Sequence, residues 1–197
     1  MNLPNKLTLF RIFLIPLIVL IMVFPYAQVG IAIPYFQVQF VIVSLKDIVV
    51  LVLFTIASIT DFFDGYIARK RNLVTTFGKF LDPIADKLLV NTLLILFAVE
   101  GRIPVVPVLI MIWRDSLVDG IRMMVSGKGV VLAAGYLGKV KTVLQMLTVI
   151  LVLLNNLPFE LYRLPVASFL VWLSTLVSVF SGVSYFIQSK NVIMESR

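Results

Sequence analysis

The sequence predicts an all-α integral membrane protein in which six helices span the bilayer and both termini face the cytoplasm. Of its 197 residues, 60% are hydrophobic and 14% are charged, whereas ordinary soluble domains contain about 25% charged residues. A soluble fold of this length could not bury so much apolar surface. Long apolar stretches also recur along the chain, and the basic residues between them are distributed very unevenly. These observations favour the bilayer as the solvent.

Six stretches approach the length of about 20 mostly apolar residues that a transmembrane helix needs. Their backbone polar groups must be satisfied within each stretch, so we expect continuous helices. The first stretch lacks a clear small-residue cleavage site and is interpreted as a retained helix rather than a signal peptide. No repeat or soluble region interrupts the series, which predicts a single domain over residues 1–197. The stretches are roughly 7–25, 38–60, 84–99, 103–125, 137–154 and 165–187.

The orientation follows from the basic residues, which concentrate on the cytoplasmic side of a membrane. If the amino terminus is inside, 13 Lys and Arg residues lie on that side and three lie on the other, with Arg114 inside the fourth stretch and not counted. Both termini are therefore predicted to be cytoplasmic. The larger group is Lys6, Arg11, Arg69, Lys70, Arg71, Lys79, Lys87, Arg122, Lys128, Lys139, Lys141, Lys190 and Arg197, and the smaller is Lys46, Arg102 and Arg163.

Two missing residue types limit the available chemistry. Cysteine is absent, which excludes disulfides, thiol catalysis and thiolate metal sites. Histidine is also absent, which removes the commonest general base and transition-metal ligand. Acid–base or metal chemistry must then use carboxylates, and these favour hard cations such as Mg²⁺, Mn²⁺ or Ca²⁺.

The first pair of candidate carboxylates follows the second stretch. If that helix continues through Ala68, then Asp61, Asp64, Gly65 and Ala68 stand at i, i+3, i+4 and i+7 and share one face. The face would carry two carboxylates beside two positions that are almost free of side chain.

A second pair repeats this arrangement where the third helix begins. Gly78, Asp82, Ala85 and Asp86 stand at i, i+4, i+7 and i+8. Because proline suits the first turn of a helix, Pro83 is expected to place the helix start at Asp82.

Two antiparallel helices with such faces would bring four carboxylates together beside a hollow formed by Gly65, Ala68 and Gly78. Each like-charge pair at about 4 Å costs on the order of 4 kcal/mol at an effective dielectric near 20. Divalent cations would offset this repulsion, and two of them can form a clamp for displacement at phosphorus. Arg69, next to the hollow, is suited to diphosphate oxygens. The alternative interpretation, solvated helix ends, does not account for the regular spacing, so we predict an active site.

These residues form a continuous pattern that resembles the signature of the CDP-alcohol phosphatidyltransferase family. The resemblance implies attack by an alcohol on the β-phosphorus of a CDP-linked lipid, with release of CMP. It implies divalent metals, Mg²⁺ or Mn²⁺ and two per site, as well as a six-helix fold over the whole chain. The pattern reads Asp61-x2-Asp64-Gly65-x2-Ala68-Arg69-x8-Gly78-x3-Asp82-x3-Asp86.

The resemblance also implies a role for each signature residue. Asp61, Asp64 and Asp82 would hold the metals, and Asp86 would assist there and act as the general base on the acceptor hydroxyl. The CDP-lipid would bind beside them. The residues assigned to the CDP-lipid are Gly65, Ala68, Gly78, Arg69, Asn5 and Thr8.

The acceptor alcohol must be inferred from residues outside the signature. Arg114, Arg122, Lys139 and Lys141 are cations near the cytoplasmic ends of the fourth and fifth stretches. A cationic pocket suits a phosphorylated acceptor better than choline or ethanolamine. Arg114 and Arg122 are eight residues apart and share a face, whereas Lys139 and Lys141 diverge by about 160° and are not both expected in one pocket of a regular helix. For each lysine, a role as a membrane-surface anchor remains open.

Several local stretches resemble the bacterial members of the family that make phosphatidylglycerophosphate, among them the opening from Leu3 to Arg11. The chain departs from them at Asp115, where they have Glu, and at Asp119, where they have Thr, which adds an acid beside the predicted phosphate pocket. The predicted substrates are CDP-diacylglycerol and sn-glycerol 3-phosphate. The resemblance further implies a homodimer in the bacterial cell membrane, an active site at the cytoplasmic interface and no nucleic-acid partner.

Two alternatives remain. One is a transferase of the same family with phosphatidylglycerol or serine as acceptor, since the signature does not distinguish acceptors. The other is a small cation transporter, whose acidic residues should then cross the membrane. The aspartates of this chain cluster at one interface, which favours the enzyme.

Overall fold

The chain is mostly α-helical in a computed structural model that describes residues 2–70, 76–127 and 135–194. Side chains at 3–4, 62–69, 76–77, 79–80 and 191–194 are not described. The described residues form six α-helices, a two-stranded hairpin and a short 3-10 helix over Phe159–Tyr162. The helices and strands are α1 Leu3–Val23, β1 Tyr35–Val38, β2 Val41–Ser44, α2 Leu45–Lys70, α3 Thr76–Val99, α4 Val105–Gly127, α5 Tyr136–Leu153 and α6 Val166–Met194.

The helices pack in two groups that meet at α3. α1 packs against α2 and α3, while α6 packs against α4 and α5. α3 contacts α4 and α5, and α2 also contacts α5, so these contacts join the groups. The core between them is apolar and includes the buried residues Ile18, Phe54, Leu93, Phe97 and Val149. Site residues on different helices are therefore held by a common core.

Three helices among the described residues are long and apolar enough to cross a membrane: Asn5–Val23, Tyr136–Leu153 and Val166–Lys190. Large apolar side chains such as Phe13, Phe169 and Phe180 are exposed on their outer faces, where lipid would cover them. The protein is therefore a membrane protein. The other three helices contain 26, 24 and 23 residues, so their length also allows a span. Six spans with cytoplasmic termini stay a prediction.

The expected helix over 38–60 is wrong at its start, because β1 and β2 form an antiparallel hairpin and α2 begins only at Leu45. Gln39 adopts a positive φ of 55° in the two-residue turn. In β2, Val41 and Val43 are buried while Ile42 is exposed, which is the alternation of a strand. A short run of β-branched residues is compatible with either a helix or a strand. Here it forms a strand, because it pairs with β1.

The expected helix start at Asp82 is also wrong. α3 begins six residues earlier, at Thr76, and Pro83 lies inside it. An internal proline removes one backbone hydrogen bond and costs about 3 kcal/mol in a soluble helix. Membrane helices tolerate it because neighbouring groups satisfy the freed carbonyl. Gly78 therefore lies within the helix, on the same element as Asp82 and Asp86.

The end of the fold opposite the four predicted active-site aspartates carries a network of charged side chains. Asp47 is almost fully buried and accepts hydrogen bonds from Nη2 of Arg102 at 2.9 and 2.8 Å. Glu100 pairs with both Arg102 and Lys46. Lys46 and Arg102, predicted to share the membrane face poor in basic residues, thus lie together.

Candidate active site

Arg11 links two of the predicted aspartates. Its side chain is fully buried in α1, and its Nη1 donates to Oδ1 of Asp61 on α2 and to Oδ1 of Asp86 on α3. Three helices therefore converge on one guanidinium group. One guanidinium thus lies between two carboxylates, whose oxygens are ligands suited to a hard cation.

A third aspartate is reached from the same helix. Oγ1 of Thr8, which is buried one turn before Arg11, donates to Oδ1 of Asp82 at 2.7 Å. Asn5 is buried one turn earlier still. Asn5, Thr8 and Arg11 follow at intervals of three, so one face of α1 is directed at the start of α3 and the end of α2.

The signature residues at the end of α2 are only partly described. The helix continues through Ala68 as predicted and ends at Lys70, but the side chains of Asp64 and Arg69 lie outside the described residues, and Gly65 falls in the same stretch. Gly78 is buried in α3. Among the side chains that are described, no three acidic groups come close enough together to hold a metal ion. The four-carboxylate cluster therefore stays a prediction.

A cavity of about 830 Å³ brings the aspartates together with the predicted acceptor cations. It is lined by residues of α2, α3, α4, α5 and α6 and carries both carboxylates and basic groups. Its charged lining residues are Asp61, Asp86, Lys87, Arg114, Asp115, Arg122, Lys139 and Lys141.

Both lysines of α5 line this cavity, so the expectation that they cannot share a pocket is wrong. Lys141 is buried and Lys139 is exposed. Gly138, Lys141, Thr142 and Gln145 stand at i, i+3, i+4 and i+7 on one face of α5, and Lys139 and Val143 line the cavity at the edge of that face. A regular helix can therefore contribute both lysines from the two edges of one broad lining.

Asp115 organises two of the cations. Nζ of Lys141 donates to both Asp115 carboxylate oxygens at 2.5 Å, and Nη1 of Arg114 donates to Oδ1 at 2.9 Å. Asp115 is 4% exposed, so it needs this compensation. Asp119, the other unusual acid, pairs with Lys87 and is not among the cavity lining. The added acid therefore compensates a lining cation without itself lining the cavity.

Tyr185 is a residue of this cavity that the sequence analysis missed. The guanidinium carbons of Arg114 and Arg122 lie 5.7 and 4.8 Å from its ring centroid. Arg114 also donates to the carbonyl of Ser178 and the hydroxyl of Ser181. Ser178, Ser181 and Tyr185 follow at i, i+3 and i+7 on α6, a polar stripe in an apolar helix that could have indicated the contact.

A second cavity, of about 670 Å³, shares Asp61 and Asp86 with the first. It is lined largely by apolar residues of α2, α3 and α5, with Arg11, Asp61 and Asp86 at one end. The hydroxyls of Thr55, Ser58 and Thr142 each donate to the carbonyl four residues earlier in their own helix. These hydroxyls are already satisfied, so the cavity suits an apolar chain attached to a polar group.

Asp61 and Asp86 line both cavities. The carboxylates therefore stand between an apolar compartment and a cationic one. This arrangement can hold a lipid-linked group on one side and an anionic reactant on the other, with the reacting bond between them.

Comparisons with known proteins identify the family of the chain. The family model for CDP-alcohol phosphatidyltransferase matches residues 1–180. A Bacillus subtilis (strain 168) protein named CDP-diacylglycerol–glycerol-3-phosphate 3-phosphatidyltransferase is 45% identical over 190 residues, covering 96% of this chain and 95% of its own. A protein of the same name from Rickettsia felis is 38% identical, covering 94% and 93%. The chain belongs to the CDP-alcohol phosphatidyltransferase family.

Proposed function

We propose that the protein transfers the phosphatidyl group of CDP-diacylglycerol to sn-glycerol 3-phosphate, giving phosphatidylglycerophosphate and CMP. The observation that carries the proposal is the pair of cavities that share Asp61 and Asp86, one apolar and one cationic. The names of relatives that are 38–45% identical over most of the chain support the same reaction.

In this reaction the acceptor hydroxyl oxygen attacks the β-phosphorus, and the bond from that phosphorus to the CMP oxygen breaks. Asp86 takes the hydroxyl proton, since it borders the acceptor cavity and a carboxylate is the available base in a chain without histidine. CMP departs with the bridging oxygen. The diacylglycerol part occupies the apolar cavity, where Phe54 and Met146 are lining residues.

The family uses divalent metal ions. The described donors fit such an ion, because the Asp61 and Asp86 carboxylates lie against the same guanidinium and offer the hard oxygen ligands that Mg²⁺ and Mn²⁺ prefer. We assign Asp61, Asp64, Asp82 and Asp86 as the ligands of two ions. Bound ions would supply positive charge against the diphosphate.

The remaining site residues are assigned to the two substrates. The cations Arg114, Arg122, Lys139 and Lys141 receive the acceptor phosphate, with Asp115 leaving a net charge of +3 in that group. The CDP part lies against the signature residues and the inner face of α1. Its assigned contacts are Gly65, Ala68, Arg69, Gly78, Asn5 and Thr8.

An acceptor panel tests this function. Purified protein receives CDP-diacylglycerol with Mg²⁺ or Mn²⁺ and one of glycerol 3-phosphate, serine, glycerol or phosphatidylglycerol, and released CMP is measured. We expect release only with glycerol 3-phosphate, and its loss when a chelator removes the metal. Release driven by serine or phosphatidylglycerol would assign another acceptor, whereas cation flux through proteoliposomes without CMP release would favour a transporter.

We further propose that residues 1–197 form one domain, with six spans in the bacterial cell membrane and both termini in the cytoplasm. We also propose a homodimer, and light scattering of the purified protein would measure its mass.

The topology can be tested by cysteine labelling. Because the chain lacks cysteine, a single introduced cysteine reports directly which side of the membrane it faces. Gln39→Cys in the hairpin turn should react with an impermeant maleimide added to intact cells. Ser126→Cys, at the end of α4, should react only after permeabilisation. The reverse pattern would invert the topology.

A further inference from the structure

Tyr185 occupies a junction of three helices. It belongs to α6 and is 3% exposed. Its hydroxyl oxygen accepts a hydrogen bond from Nη2 of Arg122 on α4 at 2.5 Å, and another from the backbone N–H of Gly135, just before α5, at 2.8 Å. The residue thus ties the acceptor cation of α4 to the start of the helix that carries the two lysines.

The hydrogen of this hydroxyl is not used by these contacts. A guanidinium and a backbone N–H can only donate, so both hydrogen bonds occupy lone pairs of the phenolic oxygen. Within the described part of the chain, no acceptor receives the Tyr185 hydroxyl proton. A buried donor without an acceptor is unfavourable, and Tyr185 lines the cationic cavity. An acceptor supplied from that cavity would complete its hydrogen bonding.

Arg122 offers a second unused donor at the same place. Its Nε is buried and has no hydrogen-bond partner among the described residues. Its guanidinium carbon lies over the Tyr185 ring, and this cation–π contact helps to hold the guanidinium in place. Arg114 approaches the same ring. The Tyr185 hydroxyl, Nε of Arg122 and the Arg114 guanidinium therefore lie in one region. Such a group of donors fits an anion with several oxygens, such as a phosphomonoester.

We infer that Tyr185 is an acceptor-binding residue, whose hydroxyl donates to a phosphate oxygen of the acceptor while its oxygen and ring fix Arg122. The inference rests on the proposed function. It goes beyond the family resemblance, because the family model ends at residue 180 and none of the signature residues lies on α6. Tyr185 would make the site selective for phosphorylated over unphosphorylated alcohols.

The test is Tyr185→Phe, which keeps the ring and removes the hydroxyl. We expect KM for glycerol 3-phosphate to rise about 10- to 100-fold, the factor for one hydrogen bond to a charged group. The kcat at saturation and KM for CDP-diacylglycerol should stay close to wild type. Tm should fall modestly, because the phenyl ring cannot accept the hydrogen bonds from Arg122 and Gly135. Competitive inhibition by inorganic phosphate should weaken in parallel. Tyr162→Phe is the matched control, since Tyr162 is exposed in the 3-10 helix.

Two results would overturn the inference. One is an unchanged KM for glycerol 3-phosphate in Tyr185→Phe. The other is an equal loss of affinity for glycerol 3-phosphate and for CDP-diacylglycerol, which would indicate a structural role. Failure of the proposed function looks different, because the wild-type protein itself would then release no CMP in response to glycerol 3-phosphate.

Discussion

Asp86→Asn should lower kcat for CMP release by about 10²- to 10⁴-fold, the usual contribution of a positioned general base. The substitution keeps the shape of the side chain and removes its ability to take a proton. Asp86 lines both cavities, so it stands where a lipid-linked phosphorus and an acceptor hydroxyl would meet. Released CMP at saturating concentrations of both substrates measures the effect.

Binding separates this role from a general loss of structure. CDP-diacylglycerol should still bind the Asp86→Asn protein, because the apolar cavity is lined mainly by other residues. Glu160→Gln is the matched control: this carboxylate lies in the 3-10 helix, and the amide can still accept the hydrogen bond from Asn156. Wild-type turnover in Asp86→Asn would remove the base assignment, and turnover lost in both variants would indicate a nonspecific effect.

Local patterns in the sequence predicted the helical fold and part of the lining of the cationic cavity. The shared face of Asp61 and Ala68 required α2 to continue past the apolar stretch, and it does so to Lys70. The helical fold and the gathering of Arg114 and Arg122 in one cavity were likewise predicted from periodicity and charge. Each of these features depends on residues within about two helical turns of one another, where spacing alone determines the face.

Features that depend on distant pairing could not be predicted. The hairpin was missed because Val41 and Val43 belong to a short apolar run that fits a helix as well as a strand. Tyr185 lies 63 residues from Arg122, and Arg11 lies 50 residues from Asp61 and 75 from Asp86. A single sequence carries no record of such contacts. Arg11 was also accounted for by membrane orientation, which concealed its buried position.

Arg11→Met should reduce turnover by about 100-fold or more, because displacing a catalytic group by about 1 Å can lower the reaction rate about 100-fold. The guanidinium of Arg11 binds the carboxylates of both Asp61 and Asp86. Methionine fills a similar space but can donate no hydrogen bond to either carboxylate. Breaking a fully buried ion pair costs about 3–5 kcal/mol of stability. Here the two carboxylates are 35% and 46% exposed, so water can solvate them and we expect a loss of only about 1–2 kcal/mol. Activity should therefore fall much further than stability.

Arg11→Lys distinguishes charge from geometry. Lysine restores the positive charge, but its single ammonium does not reproduce the planar fork of the guanidinium. We expect Arg11→Lys to regain most of the lost Tm and only part of the turnover, measured by thermal unfolding in detergent and by CMP release. Lys6→Met, at an exposed position of the same helix, should leave both near wild type. If Arg11→Met turned over normally, the two carboxylates would be positioned without α1, and the convergence of three helices on Arg11 would be structural only.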